Sequence, residues 1–436
     1  MMKKTKTIFI LVLAALLLVV SMSIAQQLKK HGRYYIADIE KEFKVAPGGI
    51  LEIKDVRGDV QITSWSKNVV YIHERRKMDV YTKEEAEAVL KDQKYQYQKI
   101  GNKIVVGMKG SYRSYMSSYF DVKLPKKFNA TVSTAGGDLR VSDLEGEVKL
   151  VTSGGDIDVS KIDGIVKATT SGGDISANKI SKEAILTTSG GDIDMDDIKG
   201  DVKAATAGGD LSLREIAGNV RASTSGGDII VEKNTGNVSV QTSGGDIELY
   251  DVGAQVKATT SGGDVVVRRS SGDVKVVTSG GDIDLTDIQG KISATTSGGD
   301  IEATTVMKGI KVTTAGGNIE LVDIRGFIDA KTSGGDMKAE LTLQDFSKDH
   351  HVTMNTASGD IELRIPAQLP ATIKARLKVT PRARDDYDII SDFPISIKKE
   401  KEGRNEIISA TGEINGGGDV IELKTTNGNI SIIKAK

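Results

Sequence analysis

Cysteine is absent from the 436 residues. That excludes disulfide staples, thiolate catalysis and lipid attachment through a cysteine. Six prolines are present, none between Pro125 and Pro366, so this interval can carry backbone ladders without a missing donor. Aromatic residues are 4% of the chain, and thirteen of the nineteen fall between Tyr34 and Phe128. Only four histidines occur, and the adjacent His350 and His351 lack the spacing of a metal site. No nucleophile–base–orienter set is visible, so a non-enzyme is expected with no cofactor. Neither sign of charge dominates, with 59 Lys and Arg against 60 Asp and Glu. The longest apolar run is Ile8–Val20, too short for a bilayer, where about 20 residues are needed. Lys3, Lys4 and Lys6 precede it and Ser23-Ile24-Ala25 follows it, the pattern of a secretory signal over residues 1–25. The expectation is an exported protein of the periplasm, cell surface or extracellular space, with no transmembrane span once the signal is removed. Losing three lysines leaves 56 basic against 60 acidic side chains, a net charge of −4.

What fills the middle is a repeat. Thr296-Ser297-Gly298-Gly299-Asp300-Ile301 typifies it. Its aspartate recurs at 138, 156, 174, 192, 210, 228, 246, 264, 282, 300 and 336, with Asn318 in the one remaining place. The spacing is eighteen residues without a slip. Each half of a unit reads glycine, polar, aliphatic, polar, aliphatic, which predicts two short strands with one buried face apiece. Glycine at the start of each half supplies a corner, through positive φ or close backbone approach. Strands this short bury a face only by stacking on their neighbours, the logic of a solenoid. Leu139, Ile157, Ile175 and their successors form one wall; Val148, Val166, Ala184 and theirs form the other. A threonine four residues before each aspartate, from Thr134 to Thr332, points inward by parity, its hydroxyl free to bond the neighbouring coil. The predicted fold is all-β: a right-handed, two-sided parallel β-helix of 18-residue coils. A three-sided left-handed helix of hexapeptides also fits eighteen residues, but it wants an aliphatic where the aspartate stands.

The flanks differ in composition. Residues 26–130 hold most of the aromatics, strand-like segments around Phe43–Val45, Ile50–Ile53, Val60–Ile62 and Val69–Ile72, and one helix. That helix opens on the capping box Thr82-Lys83-Glu84-Glu85 and has an apolar stripe of Ala86, Val89 and Leu90. We read 26–130 as an N-terminal cap, 131–345 as the solenoid repeats and 346–436 as a C-terminal β cap. The register breaks over Leu341–His351, and Gly416-Gly417-Gly418-Asp419 and Gly428-Asn429-Ile430 add two strand-turn units.

Several stretches together carry a resemblance. They are Gly58-Asp59-Val60-Gln61-Ile62 followed by Trp65, Leu124-Pro125 before the tandem Ser-Gly-Gly-Asp-Ile units, Ser391-Asp392-Phe393-Pro394, and the closing Asn427-Gly428-Asn429-Ile430. The mature chain resembles the bacterial β-strand-repeat family labelled "putative adhesin", related to the head-domain auto-transporter adhesins. The resemblance implies a parallel β-helix in the bacterial envelope and brings no catalytic residues. The chain departs from an auto-transporter in lacking a set of membrane-barrel strands near its end.

Candidate binding residues come from the columns. The residue eleven after each aspartate is basic at Lys149, Lys167, Lys203, Arg221, Lys257, Lys275 and Lys311. These seven point outward on one sheet and form a candidate contact face for a polyanion. The column two after the aspartate carries Asp158, Asp194, Glu248, Asp284, Glu302 and Glu320 and predicts an acidic opposite sheet. The aspartate column itself reads as a turn ladder or as a row of cation sites; one carboxylate per coil falls short of the six or more oxygens calcium wants. Ser111–Phe120 is a candidate aromatic sugar platform, and Arg57-Gly58-Asp59 spells a tripeptide that the strand-turn pattern already explains. Nucleic acid is not expected, because no aromatics interleave with the lysines. The functional expectation is an exported cell-envelope solenoid acting as an adhesin-like binding or scaffold protein. Its partner would be envelope polysaccharide or another envelope or surface protein. The alternatives are a lyase or hydrolase of polysaccharide on a β-helix scaffold, and a cation-stabilised structural rod.

Overall fold

The computed structural model describes residues 27–92, 94–109, 115–343, 345–383 and 385–435. The signal over 1–25 and Ser111–Ser114 of the aromatic cluster lie outside them.

Each repeat gives one strand to each of two sheets. In the coil at Asp282, Ile283–Ile288 joins the first sheet and Ile292–Thr295 the second. Ile283 lies between Val265 and Ile301, and Ile292 between Val274 and Ile310, all in parallel register eighteen residues apart. Ile283, Leu285, Ile292 and Ala294 are buried between the sheets, each larger side chain contributing roughly 1.5–3 kcal/mol. The predicted parallel solenoid is thus the observed one.

The corner Thr-Ser-Gly-Gly-Asp works through three contacts. The threonine is buried, and Thr296 Oγ1 donates to the Gly281 carbonyl of the preceding coil at 2.9 Å. The second glycine packs against that same backbone: a Cβ on Gly299 would sit 2.1 Å from the Gly281 oxygen. The aspartate carboxylate of one coil accepts the amide of the next aspartate, as Asp282 Oδ1 does from Asp300 N at 2.7 Å. Close approach, and not positive φ, is therefore what these glycines supply.

Positive φ falls where the sequence did not announce it. Asp143, Lys161, Lys179 and their equivalents to Asp323, five residues after the column aspartate, have φ between 54° and 61°. The ladder skips them: Ser142 pairs with Ser160 and Leu144 with Ile162. This stacked bulge reverses the inside–outside parity. It sends a third aliphatic inward in each coil, Leu144, Ile162, Ile180, Ile198 and Ile216 among them. The coil keeps two sheets but has one more buried column than strict alternation predicts.

Both ends are threaded out of sequence. Gly49–Val56 and Val60–Trp65 already form a coil in the register of the repeats. That coil lies between Phe128–Thr134 with Leu139–Glu145 on one side and Lys103–Lys109 with Met116–Pro125 on the other. At the far end Asp419–Thr426 and Ile430–Lys434 slot between the coil of Val352–Thr356 with Ile361–Ile365 and that of Ala371–Val379 with Ile389–Ser391. Beyond these, pairing turns antiparallel, through Val69–Met78, Tyr34–Lys44 and Gln27–His31 at one end and Asn405–Ile414 with Ser396–Glu402 at the other. The edge strand Ser396–Glu402 is exposed along its length and carries Lys398, Lys399 and Lys401, charges that deter pairing with another chain.

The helix forms as its capping box requires, over Lys83–Asp92, with Glu85 N donating to Thr82 Oγ1 and Thr82 N to Glu85 Oε2, both 3.1 Å. Ala86, Val89 and Leu90 are buried. Inside the cap, Glu74 and Arg76 form a fully buried pair with Nε–Oε1 at 2.6 Å and Nη2–Oε2 at 2.8 Å. Ser118 and the Tyr97 hydroxyl also donate to Glu74, so each carboxylate oxygen has two donors. Burial, together with the Glu74 carboxylate, pushes the Tyr97 phenol well above its ordinary value, which keeps it a donor.

Candidate functional site

The seven basic residues share one row on the outer face of the second sheet. Register runs Lys149, Lys167, Ile185, Lys203, Arg221, Ser239, Lys257, Lys275, Ser293, Lys311 and Asp329. The strand pattern buries the residues on either side, so each of these projects outward; six of the seven cations are exposed and Lys167 is half-buried. The row has a rhythm: two adjacent cations, then a neutral residue, three times over. Neighbouring cations stand about 4.8 Å apart, the spacing of paired strands. In bulk water such a pair costs roughly 0.9 kcal/mol before salt screening.

Carboxylates answer only part of this charge. Lys167 Nζ lies 3.2 Å from Glu147, and Lys311 Nζ lies 3.8 Å from Asp329. Lys149, Lys203, Arg221, Lys257 and Lys275 have no carboxylate within 4.0 Å among the described residues. The aspartates nearest the row are otherwise engaged: Asp201 and Asp273 accept the amides of Asn219 and Lys291, both at 2.9 Å.

Midway along the face the row sinks into a groove of about 580 Å³. Ser239, Lys257, Asp273, Lys275, Lys291, Ser293 and Phe327 are among the residues that line it. The Phe327 ring stacks on His351 with centroids 5.2 Å apart, and Lys291 Nζ lies 5.9 Å from its centre. Column reasoning placed Lys257 and Lys275 here and missed Lys291 and Phe327. Those two belong to the column two residues earlier, where Lys291 precedes its strand and Phe327 opens one. The available signal was Phe327 itself, an aromatic in a block that holds almost none.

The opposite sheet keeps the acidic column that the sequence predicts, only partly paired: among the described residues Asp158, Asp194, Glu248 and Glu302 have no basic group within 4.0 Å. Arg214 pairs with Asp196 at 3.4 Å, Arg268 with Asp284 at 3.2 Å and Lys338 with Glu320 at 3.1 Å. Columns four and five residues after the aspartate bring Arg214, Arg268 and Arg269 onto this face together with further carboxylates such as Asp196, Asp251 and Asp287, so the face is mixed but stays net acidic.

The other candidates resolve into structure. The aspartate column is an unbroken ladder from Asp59 through Asp138, Asp336 and Asp360 to Asn429 and the amide of Asp388. Asp59 of the Arg-Gly-Asp tripeptide is its first rung. Both ring nitrogens of buried His350 face carbonyls, Lys348 O at 2.7 Å and Pro370 O at 3.0 Å, while His351 Nδ1 meets Asp349 at 2.6 Å. The two histidines therefore serve separate contacts. Of the aromatic cluster, Met116 and Phe120 are core, and Tyr119 donates to Gln61 at 2.7 Å.

Fold and face together define an all-β parallel solenoid with one cationic outer sheet. The chain belongs to the Toastrack DUF4097 family, whose description matches residues 51–251, 214–322 and 250–433. No curated protein matches the chain. Among solved structures it is similar to a "putative adhesin" of Bacteroides fragilis NCTC 9343, at 13% identity over 61% of this chain and 96% of that one, TM-score 0.29. It is also similar to a "putative lipid binding protein" of Parabacteroides distasonis ATCC 8503, at 16% identity over 61% and 96%, TM-score 0.25. A "putative cell adhesion protein" of Clostridium sporogenes ATCC 15579 matches at 9% identity over 91% and 99%, TM-score 0.14.

Proposed function

We propose that this protein is an exported cell-envelope binding rod, adhesin-like in action, that holds anionic polysaccharide along the basic row of its second sheet. The observation that carries the reading is the set of five exposed cations, Lys149, Lys203, Arg221, Lys257 and Lys275, aligned on one rigid face without carboxylate partners. A linear polyanion laid along the rod would meet a cation pair every three coils and release counterions at each contact, so its affinity would fall steeply with salt. The groove at Lys257 and Lys275 would be the tightest stretch, with Ser239 and Ser293 available to hydroxyl groups.

Co-sedimentation of the mature chain with purified envelope polysaccharide at low and high salt tests this. Salt-sensitive pelleting is expected, and replacing Lys149, Lys167, Lys203 and Lys257 with Ser should weaken it while the melting temperature stays unchanged. Equal pelleting of that variant would remove the face from consideration. Release of soluble sugar would favour a polysaccharide-cleaving enzyme. No pelleting at either salt would leave a scaffold for another envelope protein.

A further inference from the structure

A second concentration of positive charge lies at the N-terminal end, apart from the lysine row. There the antiparallel cap meets the first two corners of the ladder. Across the cap strands, Ile36 pairs with Lys77 and Lys77 with Ser117, while Arg75 pairs with Tyr119. Arg75, Lys77, Ser117 and Tyr119 form one wall of a recess of about 510 Å³, and the corners Arg57-Gly58-Asp59 and Ala135-Gly136-Gly137 form the other.

Arg57 stands out against the repeat. Asp59 and Val60 take the register of Asp138 and Leu139, so Arg57 occupies the place of Gly136. That place is glycine in every repeat from 136 to 334. The position does not demand glycine: a Cβ at Gly136 would meet nothing within 4 Å, and φ there is not positive. The fold therefore has no use for an arginine here, yet it fixes that arginine's backbone. Arg57 O accepts from Ser118 N at 2.9 Å, and Arg57 N donates to the Tyr95 hydroxyl at 3.3 Å. Its guanidinium has no carboxylate within 4.0 Å among the described residues.

Its neighbours are compensated only in part. Lys77 Nζ sits 3.8 Å from the centre of the Tyr34 ring and has no carboxylate within 4.0 Å among the described residues. Arg75 Nε shares Asp38 Oδ1, at 3.3 Å, with His73. The one carboxylate in the recess, Asp59, spends Oδ1 on the Asp138 amide at 3.0 Å. Three cations thus surround a concave site with Asp59 in its lining and Asp38 behind Arg75, and its walls also carry the Ser117 and Tyr119 hydroxyls.

We propose that this recess binds a phosphate monoester, with Arg57 as its principal ligand and Arg75 and Lys77 completing the charge. With Asp59 in the recess and Asp38 on Arg75, about one net positive charge remains, and the donors of two guanidinium forks and one ammonium outnumber what the two oxygens of a carboxylate accept, while a phosphomonoester offers three oxygens. Arginine's planar fork suits phosphate oxygens in a way a lone ammonium does not.

The test is a titration of the full mature chain with inorganic phosphate, and separately with glucuronate, at constant ionic strength, read by calorimetry and melting temperature. Phosphate is expected to bind and to raise the melting temperature. Arg57→Gln should weaken that binding by roughly ten- to hundredfold, the weight of hydrogen bonds to a charged group, and should melt like the parent without phosphate. Arg57→Lys should bind with intermediate affinity, and the Ser-substituted lysine-row variant should bind phosphate normally. Unchanged affinity in Arg57→Gln, no phosphate binding by the parent, or glucuronate binding as tight as phosphate would each overturn the assignment.

Discussion

A single carbon decides which glycine of the Gly-Gly pair the fold requires. A Cβ at Gly245 would lie 2.0 Å from the Gly227 oxygen, whereas one at Gly244 would lie 3.5 Å from the Gly226 oxygen. Gly245→Ala should therefore force two coils apart and destabilise by about 1–3 kcal/mol or more, while Gly244→Ala should be tolerated; urea midpoints of the two variants make the comparison. The aspartate beside them acts as an acceptor and not as a charge. Asp246 Oδ1 takes the Asp264 amide at 2.7 Å, and Asn318 does the same for Asp336 at 2.9 Å. Asp246→Asn should thus leave stability nearly unchanged, whereas Asp246→Ala should lose about 1 kcal/mol, the net value of one hydrogen bond. Equal losses in both would mean that charge matters there.

Among the elements, the strand pair Asp419–Thr426 and Ile430–Lys434 has coils on both sides, so its loss exposes two sheet edges at once. A chain ending at residue 417 should lose its cooperative unfolding transition, and a synthetic peptide of residues 418–436 added in trans should restore it. A truncated chain that melts like the parent would contradict the register. How far such elements were legible depends on locality. The threonine and aspartate columns could be read because one residue type recurs at one spacing and each bond spans a single coil. The Leu144 column could not, since the bulge at Asp143 breaks the alternation from which inwardness is judged, and an aspartate or lysine there announces no positive φ. The insertion of Gly49–Trp65 beside Phe128–Glu145 escaped for another reason. Its motif has shrunk to Arg57-Gly58-Asp59, and its partners lie some eighty residues away. The basic row was legible from parity, but the groove was not, because Lys291 and Phe327 reach it from the start of their strands, in another column.

For the molecule as a whole, near-neutral charge hides a division between a cationic sheet and an acidic, partly paired one. Ion pairs on the acidic sheet and at the C-terminal cap shape the response to acid. Arg269 holds the Asp251 carboxyl below the usual carboxylate range, and Lys399 does the same for Asp388. Lowered folded values mean that their contribution is intact above the unfolded value of about 3.9 and is lost as pH falls through the folded values. Both pairs are about half exposed, so each effect is small and screened by salt. The melting temperature should hold a plateau above about pH 5 and decline only below about pH 4; a rise on acidification would contradict the sign. The threading of the two ends bears on time as well as on stability. A ribosome delivers the chain from the N-terminus, yet the coil of Asp419–Lys434 belongs between segments made earlier. The slot it fills must stay vacant, or close wrongly, until residues 419–434 have been made. Those residues thus act as a latch on coils that precede them in the chain.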